Sequence, residues 1–214
     1  MLFRSLKRRF GVTVLQNLVP RWNVAPSQKS LVVVRSGLHD EAVNARWGLQ
    51  PAGQGRSFLI NARMETVGEK PKFRDAFLYS RCIIPASGWY EWSAPKTPWH
   101  VQLSDGGVMA MAGLVIRTND ELRFVVITSA ADGWLARLHH RQPLILQYGA
   151  EARWLGSSSA DAAGLLVPAP AHCFNWYRVS PEVGKVVADH PGLVTPVEVN
   201  MTPVAPGPQG DLFS

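Results

Sequence analysis

A single domain built mainly of β-strands, with few helices among them, is what this sequence predicts, and three observations carry the prediction. Short runs rich in Val, Ile, Phe and Trp recur at close intervals and are separated by Pro and Gly turn residues. The 214 residues, 46% of them hydrophobic, suffice for one sizeable core, and no charge run or Gly/Ser-rich linker divides the middle of the chain. Regular patterning stops near residue 197, where Met-Thr-Pro-Val-Ala-Pro-Gly-Pro-Gln-Gly shows no periodicity. Residues 1–197 therefore read as the domain and 198–214 as a disordered tail.

Taken in order, Ser30–Arg35 is a compact Val-rich strand, Val43–Leu49 alternates like a second, and Ser57–Ile60 makes a short third. Asn61–Gly68 reads as a helical turn, and Lys72–Ser80 as a helix, with Phe73, Phe77 and Leu78 apolar at helical spacing. Strands follow at 81–85, 88–92, 99–103, 108–116 and 122–128, the last two forming a hairpin across Asn119-Asp120. Residues 130–138 and 150–155 read as short helices. No internal repeat is present.

Composition narrows the function classes. Cys82 and Cys173 are too few for a disulfide scaffold, and neither has the paired spacing of a zinc site, so no metal or cofactor is expected and a reducing cytoplasm fits. No apolar run approaches the roughly 18 residues that span a bilayer, so no membrane association is expected. The net charge of +6 is concentrated at the start: Arg4, Lys7, Arg8, Arg9, Arg21, Lys29 and Arg35 precede the first acidic residue, Asp40. A surface that neutralises phosphates is one reading of that asymmetry. A transit peptide is another, opposed by Trp22-Asn23-Val24-Ala25-Pro26, which already has the character of folded-domain sequence.

Chemistry points to the stretch Arg81-Cys-Ile-Ile-Pro-Ala-Ser-Gly-Trp-Tyr-Glu-Trp92. Glu91, set among Trp89, Tyr90 and Trp92, is placed where desolvation raises a carboxyl pKa and leaves it able to donate a proton. The competing reading is an edge-strand Glu whose neighbours alternate into a core. Asn61-Ala62-Arg63 sets an amide and a guanidinium two residues apart, suited to a sugar hydroxyl and a phosphate, or else to a helix cap with an Arg on its surface. His139, ahead of the apolar run Leu144-Ile145-Leu146, is either a proton-transfer group or a satisfied structural histidine.

These stretches occur in a familiar order. Trp22-Asn23-Val24-Ala25-Pro26-Ser27-Gln28, Trp47-Gly48-Leu49, Asn61-Ala62-Arg63, Cys82-Ile83-Ile84-Pro85-Ala86, Gly88-Trp89-Tyr90-Glu91-Trp92, Ala112-Gly113-Leu114 and Leu138-His139-x-Arg141-x-Pro143 resemble the SRAP family, the SOS response-associated peptidases, over residues 1–197. The resemblance implies a single α+β domain with a barrel-like, mainly antiparallel β core and a few peripheral helices. It also implies a monomer from a bacterial or phage DNA damage response that binds single-stranded DNA at abasic sites. In that family a cysteine after the initiator methionine, exposed by autoprocessing, forms a thiazolidine crosslink with the opened sugar. Carried over by position, Asn61 orients the sugar, Glu91 transfers protons, and His139 assists Schiff-base formation and reversal. Arg4, Arg63 and Arg74 become DNA-binding candidates, and Trp47 offers a stacking surface for a base.

The chain departs from the family pattern at its second residue, reading Met1-Leu2-Phe3-Arg4 where members read Met-Cys-Gly-Arg. An alkyl side chain cannot close a thiazolidine, which leaves the Met1 amine as the terminal nucleophile. Smaller departures are Gln142 for Met and His140 for an acidic residue. The expectation is binding of abasic DNA without the stable crosslink. The alternatives are full activity from a different native start, or a Cys-His hydrolase using Cys82 with His139. In the tail, Gln209, Leu212 and Phe213 resemble the short motif by which bacterial repair proteins dock on the replication sliding clamp.

Overall fold

The computed structural model describes residues 2–12, 19–50, 58–118, 121–156 and 158–197, the side chains of residues 2–5 excepted. Met1 and the tail, with Gln209, Leu212 and Phe213, therefore lie outside the described residues, as does the Arg4 side chain.

Strands β1 (Lys29–Ser36) and β2 (His39–Trp47) form a hairpin in continuous register from Lys29↔Arg46 to Ser36↔His39. The turn passes through Gly37 at φ +60°, which glycine adopts without the penalty of a Cβ. Short β3 (Asn61–Arg63) and helix α2 (Pro71–Tyr79) follow, then β4 (Arg81–Ala86), β5 (Trp89–Ser93), β6 (Thr97–Leu103), β7 (Met109–Arg117) and β8 (Leu122–Ala130). β4 lies antiparallel between β1 and β7, β7 pairs with β8 as the expected hairpin, and β8 pairs in parallel with β2 through Arg46↔Arg123 and Trp47↔Phe124. The five strands β1, β2, β8, β7 and β4 thus close on themselves, the barrel-like core that the resemblance implied.

Alternation along these strands sorts their side chains into two layers. Val32, Ala45, Cys82, Ile84, Met111, Phe124 and Val126 form one buried cluster. Val33, Ile83, Ala112, Leu114, Val125 and Ile127 form another, together with the apolar sides of three helices. These are α1 (Leu2–Phe10) with Leu6 and Phe10, α2 with Phe73 and Phe77, and α4 (Glu151–Gly156) with Trp154 and Leu155. Gly113 shows how tightly β7 is held: a Cβ there would lie 2.8 Å from the Val125 carbonyl and 3.1 Å from Cys82 Sγ. Buried Arg81 ties two helices to the barrel, donating to the carbonyls of Trp154 and Phe77 at 2.6 Å each, the latter within the last turn of α2.

A second sheet, in the order β10–β6–β5, uses β10 (Phe174–Arg178) from late in the chain. Its Trp89, Val101, Leu103 and Phe174 face the barrel's Cys82-containing cluster, Trp89 meeting Phe174 edge-on at 5.2 Å. Its other face carries the cross-strand row Tyr90, His100 and Tyr177 against Val179, Val183, Ala188 and Leu193. Asn23 of the Trp-Asn-Val-Ala-Pro motif supports that layer from below, its amide donating to the carbonyls of Val183, Lys185 and Ala188.

Several expectations need correction. Asn61–Arg63 is a strand, not the start of a helical turn, because β8 offers it a parallel ladder through Asn61↔Val126 to Arg63↔Thr128. The turn comes after it, at residues 64–69. The third strand expected at 57–60 shrinks, among the described residues, to one isolated bridge, Leu59↔Leu49. Helix α1, α5 (Ser159–Ala163), β9 (Arg141–Pro143) and β10 are elements that periodicity did not reveal. Of the early basic residues, Arg9 pairs with Glu151, Arg21 with Asp189 and Arg35 with Asp40.

Candidate functional site

The strand β8 organises the site. Ala62 points into the helix-side cluster, so Asn61 and Arg63 face the other way, on the side of their partners Val126 and Thr128. Trp47, paired with Phe124, precedes them on the same side. Trp47, Asn61 and Arg63 therefore form a row along β8 with steps of about 6.6 Å, two residues of extended chain each. The Trp47 indole is fixed by donation to the Ile60 carbonyl at 3.0 Å and by stacking on Phe124, ring centroids 6.2 Å apart. Gly48, at φ +99°, lets the chain turn away immediately after Trp47. Asn61 and Arg63 are exposed, and among the described residues their side chains make no hydrogen bond or ion pair.

On the opposite edge β9 runs antiparallel to β8, with Thr128↔Pro143 and Ala130↔Arg141. Arg141 is held by a bidentate pair with Glu65, at 2.7 and 3.0 Å, and by the Thr128 carbonyl. The guanidinium keeps the Glu65 carboxyl below the usual carboxylate range, chiefly through these hydrogen bonds. His139 leaves the four-residue helix α3 (Leu135–Leu138) in extended conformation, and its Nδ1 lies 3.0 Å from the Arg141 carbonyl. The Arg141 backbone N–H lies 3.3 Å from the same nitrogen, so Nδ1 donates to the carbonyl in one tautomer and accepts from the N–H in the other.

Glu91 arrives from the second sheet. On β5 it shares a face with Trp89, and its Oε2 lies 3.8 Å from His139 Nδ1. Burial pushes the Glu91 carboxyl up, against smaller opposing effects of His139 and the Trp92 backbone N–H. The pair joins a carboxyl whose hold on its proton is strengthened by burial with an imidazole beside it, the composition of a proton-transfer couple.

The geometry thus places Glu91 3.8 Å from His139 and sets Trp47, Asn61 and Arg63 in one row alongside β8, the strand that also pairs with β9. Arg74 lies exposed on α2, its Nε 3.4 Å from an Asp75 carboxylate oxygen. Arg141 and Glu65 were missed as site residues. The signal was present in Leu138-His139-x-Arg141-x-Pro143, where an Arg two residues beyond His139 can brace it through its own backbone. The Cys82-His139 couple is not formed, since Cys82 is fully buried inside the barrel and burial raises its thiol far above the reactive range. Cys173 precedes β10 at the Phe174↔Leu103 end of the sheet, about 13 Å along β6 from the Trp99 that faces Glu91. Among the described residues no three His, Cys, Asp or Glu side chains are grouped to hold a metal, and no helix is long and apolar enough to cross a membrane.

The profile of the SOS response associated peptidase (SRAP) family matches residues 3–186. The chain belongs to the SRAP family. The SRAP chain is 34% identical over 191 residues to the abasic site processing protein YoqW of Bacillus subtilis, an alignment covering 82% of this chain and 85% of the relative. It is 32% identical over 193 residues to the abasic site processing protein YedK of Escherichia coli, covering 84% and 86%. Among solved structures, a protein of Bordetella bronchiseptica superposes with a TM-score of 0.72 at 26% identity, covering 83% of the SRAP chain and 95% of that protein.

Proposed function

We propose that the protein binds single-stranded DNA at abasic sites, with the opened sugar held between β8 and the second sheet. The observation that carries this reading is the 3.8 Å Glu91–His139 couple, with its half-buried carboxyl, in a chain whose relatives are named for abasic site processing. An abasic sugar opens to an aldehyde, and an amine that adds to it gives a carbinolamine. Losing water from that intermediate requires a proton on the departing oxygen, which Glu91 supplies. His139, braced by Arg141, accepts and returns protons as the imine forms and hydrolyses. Asn61 offers its amide to the sugar hydroxyls, Arg63 takes a flanking phosphate, and Trp47 lies two residues further along the row for a neighbouring base.

Neither described cysteine lies beside the couple, so covalent capture stops at a reversible imine and forms no thiazolidine. The test uses single-stranded DNA with one abasic site, resolved on denaturing gels with and without borohydride. An adduct seen only with borohydride is expected, and its rate should fall steeply in Glu91→Gln. An adduct without borohydride would show that a thiol reaches the site. Equal affinity for abasic and intact strands would end the abasic reading altogether.

The tail motif supports a second, independent proposal, docking on a bacterial sliding clamp through Gln209, Leu212 and Phe213. A fluorescent peptide of residues 202–214 should bind a clamp in the micromolar range and lose that binding when Leu212 and Phe213 are both Ala. Equal signal from both peptides would refute it.

A further inference from the structure

The three-stranded sheet carries a cation that nothing above uses. Arg178, the last residue of β10, pairs with Trp99 of β6, and Trp99 pairs with Glu91 of β5. Directly paired residues of an antiparallel sheet project to the same face, and the opposite face is accounted for by Tyr90, His100 and Tyr177, whose rings meet at 5.4 and 5.3 Å. Glu91, Trp99 and Arg178 therefore form one row, with Arg178 two strand spacings, about 9.5 Å, from Glu91. Among the described residues no carboxylate pairs with Arg178, and its Nε is closed off from solvent without a hydrogen-bond partner. Arg178 is half-buried, so an anion that accepted from this N–H would complete its hydrogen bonding.

Its surroundings indicate which anion. Two residues earlier on the same face, Trp176 is 41% exposed and stacks on Trp134, ring centroids 3.4 Å apart. Trp134 immediately precedes α3, the helix that delivers His139, so the indole stack ties β10 to the segment carrying the proton-transfer couple. A free guanidinium, an exposed indole and the Glu91–His139 couple on one continuous surface match the alternation of phosphate and base along a single strand.

We propose that Arg178 binds a backbone phosphate of the DNA, so that the strand leaves the Glu91–His139 couple across Trp99 and Trp176 toward the β10 edge. This rests on the abasic-DNA reading of the site. It assigns the strand a second phosphate contact, on a different sheet from Arg63.

The test measures fluorescence anisotropy over a series of salt concentrations with three abasic oligonucleotides, bearing nucleotides on both sides of the lesion, only 5′ of it, or only 3′ of it. Arg178→Ala should weaken binding of the two-sided strand and of one single-sided strand about threefold to tenfold. It should also reduce the salt slope for those strands by about 0.7, the contribution of one phosphate on a single strand. The other single-sided strand should bind as before. Arg178→Lys should keep the slope, and Arg153→Ala, an exposed arginine on α4, should change nothing. Thermal unfolding of each variant monitors the fold. Arg178→Ala matching wild type on all three strands overturns the inference alone, as does an equal loss on all three. Wild-type protein that does not prefer abasic strands overturns the site reading, and the inference with it.

Discussion

Acid should loosen the sheet that carries Glu91, and His100 is the reason. The ring is 4% exposed between Tyr90 and Tyr177, its Nδ1 has no hydrogen-bond partner among the described residues, and burial pushes its pKa from 6.5 down to about 4. Space around it is equally closed: a Cβ on Gly88 would run into the imidazole and approach the Val101 carbonyl to 2.7 Å. A group whose folded pKa lies below its unfolded value contributes stability that is complete above the unfolded pKa and lost as pH falls toward the folded one. The window here runs from about 6.5 to about 4. At roughly 1.4 kcal/mol for each pH unit, that amounts to about 3 kcal/mol by pH 4. His100→Phe keeps an aromatic ring in the row and removes the titration. Urea unfolding of both proteins between pH 7.5 and pH 4 should show the wild type losing about 3 kcal/mol more than the variant over that range. Parallel stability profiles would refute the argument, because the acid sensitivity would then arise from other groups.

Further predictions concern the site and the barrel. Glu91 has the opposite sign: its folded pKa is raised, so its stabilising contribution is present below the unfolded pKa and lost as pH rises through the folded one. Glu91→Gln should therefore be more stable than wild type at pH 8 and no more stable at pH 4, measured by urea midpoints, while adduct formation falls. Arg63→Ala should weaken abasic-strand binding and lower its salt slope by about 0.7, and an unchanged slope would remove Arg63 from the interface. Gly113→Ala should cost about 1–3 kcal/mol or more, since the new methyl meets the Val125 carbonyl at 2.8 Å, and an unchanged melting temperature would show that β7 can shift.

Much of this protein was decided by sequence alone. Short continuous apolar runs marked β1, β4, β7 and β8, because a strand covered on both faces is apolar at successive positions. The ordered motifs picked out Asn61, Arg63, Glu91 and His139 before any contact was known. What sequence could not supply was pairing between distant segments. Asn61–Arg63 is too short to declare its own conformation and becomes a strand only because β8 presents an open ladder to it. β10 escaped notice because Asn175 and Trp176 are both exposed and break the alternation, so its strand character comes from β6. The meeting of Glu91 with His139 and the row from Glu91 through Trp99 to Arg178 are likewise products of register. Register in a sheet is set by which strands lie side by side, and here β3 pairs with β8 and β6 with β10 across more than sixty residues of chain.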